Sequence, residues 1–279
     1  MLKGFVFHIL SNSEIRQELR IRMGKLCEVL SLIYPCKVIF HIVKDGFFRD
    51  NGVPLWKGNY QTYFRFFVGE LVDECVDKCL YLDVDMLVVG DIRELWTVEI
   101  GQKKTLMVAK LPKVFGESYF NAGFIFFNLL RWRRGGYKEK CLNYTKKHRT
   151  NDQVALNNVV EKSEVLFISE GWDYCLQTPQ SDGESLLERG VEEIKIIHYI
   201  RPKPWACILD WFKRSKGKCF RYQNVVDLWW FNAVATPLFS KELLLEKVKI
   251  NNEFSNKVFA HFGSLFFCRL LLKKRFLKK

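Results

Sequence analysis

Between Phe5 and His198, apolar runs of strand length alternate with stretches of helical spacing, and this alternation leaves few folds open. Phe5–Leu10 reads as a buried strand. Glu14–Tyr34 then repeats apolar residues at Ile15, Leu19, Met23, Leu26, Val29, Leu30 and Ile33 until Pro35 stops the helix. Lys37–Val43 is a second strand, Asp45-Gly46 a turn signal, and Asn59–Leu71 a helix with an aromatic-rich face. Strands are expected over Lys78–Val89, Thr105–Lys110, Ala122–Asn128, Glu164–Ile168 and Glu193–His198, and helices over Leu130–His148 and Asp152–Val160. Strands alternating with helices imply an α/β layer structure with a largely parallel sheet. From about Asn224 the pattern turns helical, aromatic and then basic. The expected division is a domain over 1–223 and an appendage over 224–279.

Composition narrows the function. Hydrophobic residues make up 48% and charged residues 27% of the 279 residues, proportions that exclude wholesale disorder. The net charge is +13, but the chain after Glu253 holds seven basic residues and no acid, and without them the balance falls to +6. The body is therefore only mildly basic, and nucleic acid is not an expected partner. No uncharged apolar run reaches the roughly 18 residues that a bilayer span needs. The opening MLKGFVFHIL lacks the longer apolar stretch and small-residue cleavage site of a secretory signal, so the expected compartment is the reducing cytosol. Cys75 and Cys79 could share a helix face, but no His or second Cys pair completes a zinc pattern.

The chemistry concentrates in Leu80-Tyr81-Leu82-Asp83-Val84-Asp85-Met86-Leu87-Val88-Val89. Side chains alternate along a strand, so Asp83 and Asp85 are expected on one face of it. Two carboxylates so placed repel unless a cation lies between them, and hard oxygen ligands suit Mg²⁺ or Mn²⁺. The competing reading is a pair of acids entering a solvated turn and pairing with Lys or Arg. Tyr119–Asn128 places Asn121 and Gly123 before a buried strand, where Asn121 can donate to and accept from hydroxyls. Asn151 or Asp152 could cap the helix that follows. Ile196-Ile197-His198 ends a strand in a histidine, followed by Pro202-Lys203-Pro204. His198 could complete a metal site, and Lys203 could reach a phosphate.

Four segments in order, Leu80–Trp96, Tyr119–Trp132, Asn151–Asn157 and Ile196–Trp205, make the chain resemble glycosyltransferase family 8 over roughly residues 59–205. Within that family the retaining enzymes of bacterial lipopolysaccharide and lipooligosaccharide look nearer than glycogenin. The resemblance implies a GT-A fold, a Rossmann-like domain that binds a UDP-sugar, UDP-galactose or UDP-glucose, and a divalent metal, usually Mn²⁺ with Mg²⁺ possible. It implies Asp83, Asp85 and His198 as metal ligands, with Asp83 also near the ribose and Val84 and Ala122 lining the donor site. Arg65 would lie beside the nucleotide, Asn121 and Asp152 on the donor sugar's hydroxyls, and Lys203 on the diphosphate. Gln153 matches the position nearest the anomeric carbon. An amide is a poor nucleophile, which favours attack by the acceptor on the face the diphosphate leaves.

Three departures accompany the resemblance. Relatives open with a strand and an Asp-x-x-Tyr-like loop for the uracil, whereas Phe5–Leu10 resembles their second strand, so the first strand is expected to be missing. Lys110 stands where relatives often carry an acid, and Arg201 where a Gly is usual. An inactive UDP-sugar-binding remnant is thus the alternative to a transferase that delivers hexose to a glycan or lipid-linked oligosaccharide acceptor. At the other end Val258, Phe259, Phe262, Leu265, Phe266 and Leu270 fall at helical spacing before Lys273, Lys274, Arg275, Lys278 and Lys279. A helix packed on the body would satisfy the apolar stripe alone. The added charge points to an anionic membrane surface, and to a peripheral place on the inner face of the cytoplasmic membrane.

Overall fold

The computed structural model describes residues 4–111, 118–176, 193–200, 203–205 and 223–252. The helical stripe expected from Val258 and the basic end lie outside them. The chain divides into two compact units, Met1–Cys175 with Val191–His198, and Leu176–Gly190 with Tyr199–Lys279.

The first unit opens with β1 (Phe5–Ser11), α1 (Gln17–Ser31), β2 (Cys36–Ile42) and α2 (Asp45–Asp50). Asp45-Gly46, expected as a turn, instead starts a helix, with Asp45 in its first turn where a carboxylate suits the dipole. A 3₁₀ segment (Gln61–Phe67) runs into α3 (Val68–Leu71), followed by β3 (Lys78–Leu82), β4 (Met86–Val88), α4 (Glu94–Thr97), β5 (Leu106–Ala109) and β6 (Phe124–Asn128). Then come α5 (Leu129–Arg134), α6 (Tyr137–His148), α7 (Asp152–Val159), β7 (Val165–Ile168), β8 (Tyr174–Cys175) and β9 (Ile196–His198).

Among the described residues these strands form three sheets, β1-β2, β3-β6-β5-β7 and β4-β9-β8. The largely parallel sheet expected from sequence is mixed. β6 runs antiparallel to both β3 and β5, and β4 to β9, while β1 and β2, β5 and β7, and β8 and β9 are parallel. The single strand expected over Lys78–Val89 is two strands in different sheets, because the chain turns at Asp83–Asp85 and Met86 N–H donates back to Asp83 O at 3.3 Å. The single helix expected over Leu130–His148 is likewise two. Gly135-Gly136 interrupts it, and Gly136 adopts φ +60, which a side chain would disfavour.

The core explains why β5 and β6 read as unbroken apolar runs. Leu106 and Val108 with Ile125 and Phe127 pack into one buried cluster, while Met107 and Ala109 with Phe124 and Phe126 pack into another on the opposite face. The first cluster takes in Phe48, Phe64, Phe66 and Trp132, whose indole N–H donates to Phe66 O at 3.2 Å. Arg133 ties down the end of α3: its guanidinium donates to the carbonyls of Gly69, Val72, Asp73, Glu74 and Val76 at 2.7–3.2 Å. The β1–β2 sheet is different. Among the described residues neither strand pairs with a third, and Val6, Phe7 and Ile9 are each more than a third exposed.

In the second unit, α8 (Gln223–Ala235) supplies Val226 and Trp230 to a small cluster with Ile250. Trp230 N–H donates to Pro204 O at 3.0 Å and Tyr199 O–H to Val225 O at 2.7 Å.

Candidate functional site

Strand pairing in the first unit brings distant acids and a histidine together. β4 and β9 run antiparallel with Met86 opposite His198, so Asp85, one residue before β4, arrives beside the His198 ring. β3 and β6 pair with Leu82 opposite Phe124, and Asp83 N–H extends that ladder to Gly123 O at 2.9 Å. The two ladders meet at the turn. One carboxylate oxygen from Asp83, one from Asp85 and a ring nitrogen of His198 lie within 4.8 Å of one another. Asp83 and Asp85 thus sit in the turn between two strands and not on one strand face, but they do face a common partner.

Gly123 makes room for this arrangement. Its φ is not left-handed, so the requirement is space: a Cβ there would lie 2.8 Å from Asn121 Oδ1 and 3.0 Å from Asp83 Oδ2, and nearer still to His198 Cε1.

A second set of contacts ties the turn to the start of α7. Arg65, on the 3₁₀ segment, is 5% exposed and donates from Nη2 to Asp83 Oδ1 at 2.8 Å, with Nε 3.0 Å from Asp152 Oδ2. It also donates to the carbonyls of Ala122 and Thr62. Burial opposes a charged guanidinium here, but Asp152 and Asp83 outweigh it and keep Arg65 protonated. Burial pushes the Asp152 carboxyl up, and Arg65 with the Thr62 hydroxyl pulls back against it. Tyr81 O–H donates to Asp83 Oδ1 at 2.9 Å, so that oxygen is held by two donors while Oδ2 faces Gly123.

Helix α7 is fixed to the segment before β6. Asn151 caps it, accepting from Val154 N–H at 2.9 Å. The Asn157 side chain accepts from Phe120 N–H and donates to Phe120 O. Gln153 Oε1 accepts from Ala122 N–H at 3.2 Å and its Nε2 donates to the Tyr119 hydroxyl at 3.1 Å. Asn121 Oδ1 accepts from Gly123 N–H at 2.7 Å. Val84, at the tip of the turn, is 94% exposed, whereas Ala122 is buried. Arg65, Asp83, Asp85, Asn121, Ala122, Asp152, Gln153 and His198 are therefore one connected neighbourhood. Lys203, half-buried, belongs to the second unit.

Three contributors escaped the sequence reading. Tyr81, on β3, lies two residues before Asp83 in the turn, and Thr62 three before Arg65, so local spacing carried both. Asp173 had no local signal. It is 3% exposed, and its Oδ1 lies 2.8 Å from His198 Nδ1. Burial opposes a charged ring, yet Asp173 and the Cys175 thiol beside it outweigh burial and hold the His198 proton above the ordinary histidine range.

The donor set fits a divalent ion. Two carboxylate oxygens and an imidazole nitrogen suit Mn²⁺, with Mg²⁺ the harder alternative, and no thiol lies in this group of three. Asp173, Cys175 and His198 form a second group of the same size that shares the histidine.

This fold, with an Asp-x-Asp turn set against a strand-ending histidine, is that of a GT-A glycosyltransferase. A galactosyltransferase, LgtC, solved with donor and acceptor sugar analogues, superposes with a TM-score of 0.53 at 20% identity, over 80% of this chain and 94% of its own. The sequence model of glycosyl transferase family 8 matches residues 5–208, and the chain belongs to that family. It is 27% identical over 213 residues to glycosyltransferase GlyE of Streptococcus pneumoniae, 70% of this chain and 50% of GlyE. It is 23% identical over 267 residues to the lipopolysaccharide 1,3-galactosyltransferase of Salmonella typhimurium, 86% of this chain and 75% of that enzyme. The chain therefore spans half the length of GlyE.

Proposed function

We propose that this chain transfers a hexosyl group, galactose or glucose, from a UDP-sugar to a lipopolysaccharide-type glycan acceptor with retention at the anomeric carbon. The observation that carries the reading is the meeting of Asp83, Asp85 and His198 beside the buried Arg65–Asp152 pair. The three ligands would hold Mn²⁺ or Mg²⁺, which supplies charge stabilisation to a departing nucleoside diphosphate.

The chain's own residues supply position. Arg65 spans Asp83 and Asp152, so the acid that would meet the metal and the acid that would meet the sugar are held in one register. Asp152 presents its carboxylate at the start of α7, where it can accept from donor-sugar hydroxyls. Gln153 is held between Ala122 N–H and the Tyr119 hydroxyl. An amide so engaged is suited to orienting the reacting face and not to forming a covalent intermediate.

A second reading, UDP-sugar binding without turnover, draws on the exposed apolar side chains of the separate β1–β2 sheet. UDP release from UDP-galactose and UDP-glucose, measured with Mn²⁺ before and after adding a lipooligosaccharide acceptor, separates the two. Transfer requires release that rises with acceptor and disappears in Asp85→Asn. Mn²⁺-dependent UDP binding with no release leaves the second reading, and failure to bind UDP at all overturns both.

A further inference from the structure

We propose that Asp173 is the positioning residue for His198, fixing the imidazole so that Nε2 is presented to the Asp83–Asp85 turn. This rests on the metal reading above and extends it to a residue outside the motifs that define the site.

The geometry leaves the ring little choice. β8 and β9 pair in parallel with Tyr174 opposite Ile197 and Cys175 opposite His198, which brings the buried Asp173, the residue just before β8, beside the histidine. Asp173 Oδ1 lies 2.8 Å from Nδ1, while Nε2 on the far side of the ring lies 3.4 Å from Asp85 Oδ1. A carboxylate only accepts, so Nδ1 keeps its proton against Asp173, and Nε2 is the nitrogen whose proton a cation would displace and whose lone pair it would take. Gly123 closes the ring's edge, since any side chain there would meet Cε1. The other tautomer, with the only proton at Nε2, would place a bare Nδ1 lone pair against a buried carboxylate, which repels it. Histidine ligands commonly depend on such an acceptor, and losing it costs roughly 10–100-fold in metal affinity.

The neighbouring thiol raises the alternative that Asp173, Cys175 and His198 bind a metal of their own. The observed contact argues against it. Nδ1 and Oδ1 are at hydrogen-bonding separation, and a metal there would have to displace the proton that joins them.

The test measures Mn²⁺ binding to the full chain with UDP present, by loss of the free-ion electron paramagnetic resonance signal. Histidine ¹⁵N spectra of the Mg²⁺–UDP form provide the second readout. Asp173→Asn keeps an acceptor oxygen and is expected to bind Mn²⁺ close to wild type with the same Nδ1–H signal. Asp173→Ser, too short to reach the ring, is expected to lose roughly 10–100-fold in Mn²⁺ affinity and to show mixed ring tautomers. Should Asp173→Ser fail to fold, Asp173→Thr takes its place. A lowered melting temperature with unchanged Mn²⁺ affinity would make Asp173 merely structural and overturn the proposal. Two Mn²⁺ or two Zn²⁺ ions per chain would overturn it in favour of the separate site. No Mn²⁺ uptake by the wild type would instead remove the metal reading itself, an outcome distinct from uptake that ignores Asp173.

Discussion

Arg65 holds Asp152 at 3.0 Å, Nε to Oδ2, while its other arm holds Asp83 Oδ1 at 2.8 Å. One buried cation thus balances two acids that would otherwise face each other with little solvent between them.

Removing that cation should unbalance both. Arg65→Met is expected to cost about 3–5 kcal/mol of stability at pH 7, the penalty of leaving buried charges unpaired. The direction with pH follows from Asp152, whose carboxyl burial already pushes up. A folded-state pKa above the unfolded one means the native state binds more protons, so stability rises as pH falls. The Arg65→Met deficit should therefore shrink between pH 7 and pH 5, as read by denaturant melts. Arg65→Lys restores charge without the two-armed geometry, and should recover stability better than UDP-sugar turnover. A deficit that grows on acidification would contradict this account.

The β1–β2 sheet should respond to acid in the opposite sense. His8 Nδ1 and His41 Nε2 are 2.8 Å apart across the two strands, with the rings stacked. Burial lowers both histidines, and His41 and Lys37 lower His8 further. A depressed folded pKa means the unfolded chain takes the proton first. Stability is then intact above an unfolded value of about 6.5 and lost as pH falls through the folded pKa. Thermal melts from pH 8 to 5 should show this loss, and His8→Phe should flatten it. An unchanged slope in that variant would place the acid sensitivity elsewhere.

Much of the candidate site was legible because its residues announce themselves locally. Asp83 and Asp85 interrupt an apolar run, His198 ends one, and Asn151 stands where a cap belongs. The alternation of strands and helices likewise carried the α/β class. What failed was continuity. Leu80–Val89 has a pattern compatible with one long strand, and only the switch between two sheets shows that the acids sit in a turn. Gly135-Gly136 breaks a helix whose periodicity runs through it. Asp173 was invisible for a different reason. Its importance comes from β8 lying beside β9, a pairing that no local spacing encodes.

The basic end of the chain carries a prediction drawn from sequence alone. Lys273, Lys274, Arg275, Lys278 and Lys279, each contributing roughly 1 kcal/mol near an anionic leaflet, should draw the chain to the membrane surface. No helix among the described residues is long and apolar enough to cross a bilayer. Cosedimentation with anionic vesicles should fall as salt shortens the Debye length from roughly 8 Å at physiological ionic strength, and should fall again when residues 273–279 are deleted. Equal binding to neutral and anionic vesicles would leave these charges without a membrane role.

Gly123→Ala tests whether the donor set depends on space at the turn. Its Cβ would press on the His198 ring, on Asn121 Oδ1 and on Asp83 Oδ2 together. The ring cannot retreat without breaking its 2.8 Å contact with Asp173, and Asp83 cannot without leaving Arg65 and Tyr81. The expected cost is about 1–3 kcal/mol of stability, the range for overpacking a filled site. Mn²⁺-dependent UDP binding should drop at least about tenfold, equivalent to about 1.4 kcal/mol. Gly24→Ala is the matched control: nothing lies within 4 Å of its added Cβ, and it sits inside α1. There the added methyl should stabilise by about 0.5–1 kcal/mol through helix propensity and leave UDP binding alone. If Gly123→Ala folds and binds Mn²⁺–UDP as the wild type does, the turn has slack that the packing around His198 denies, and the three ligands are not held as described.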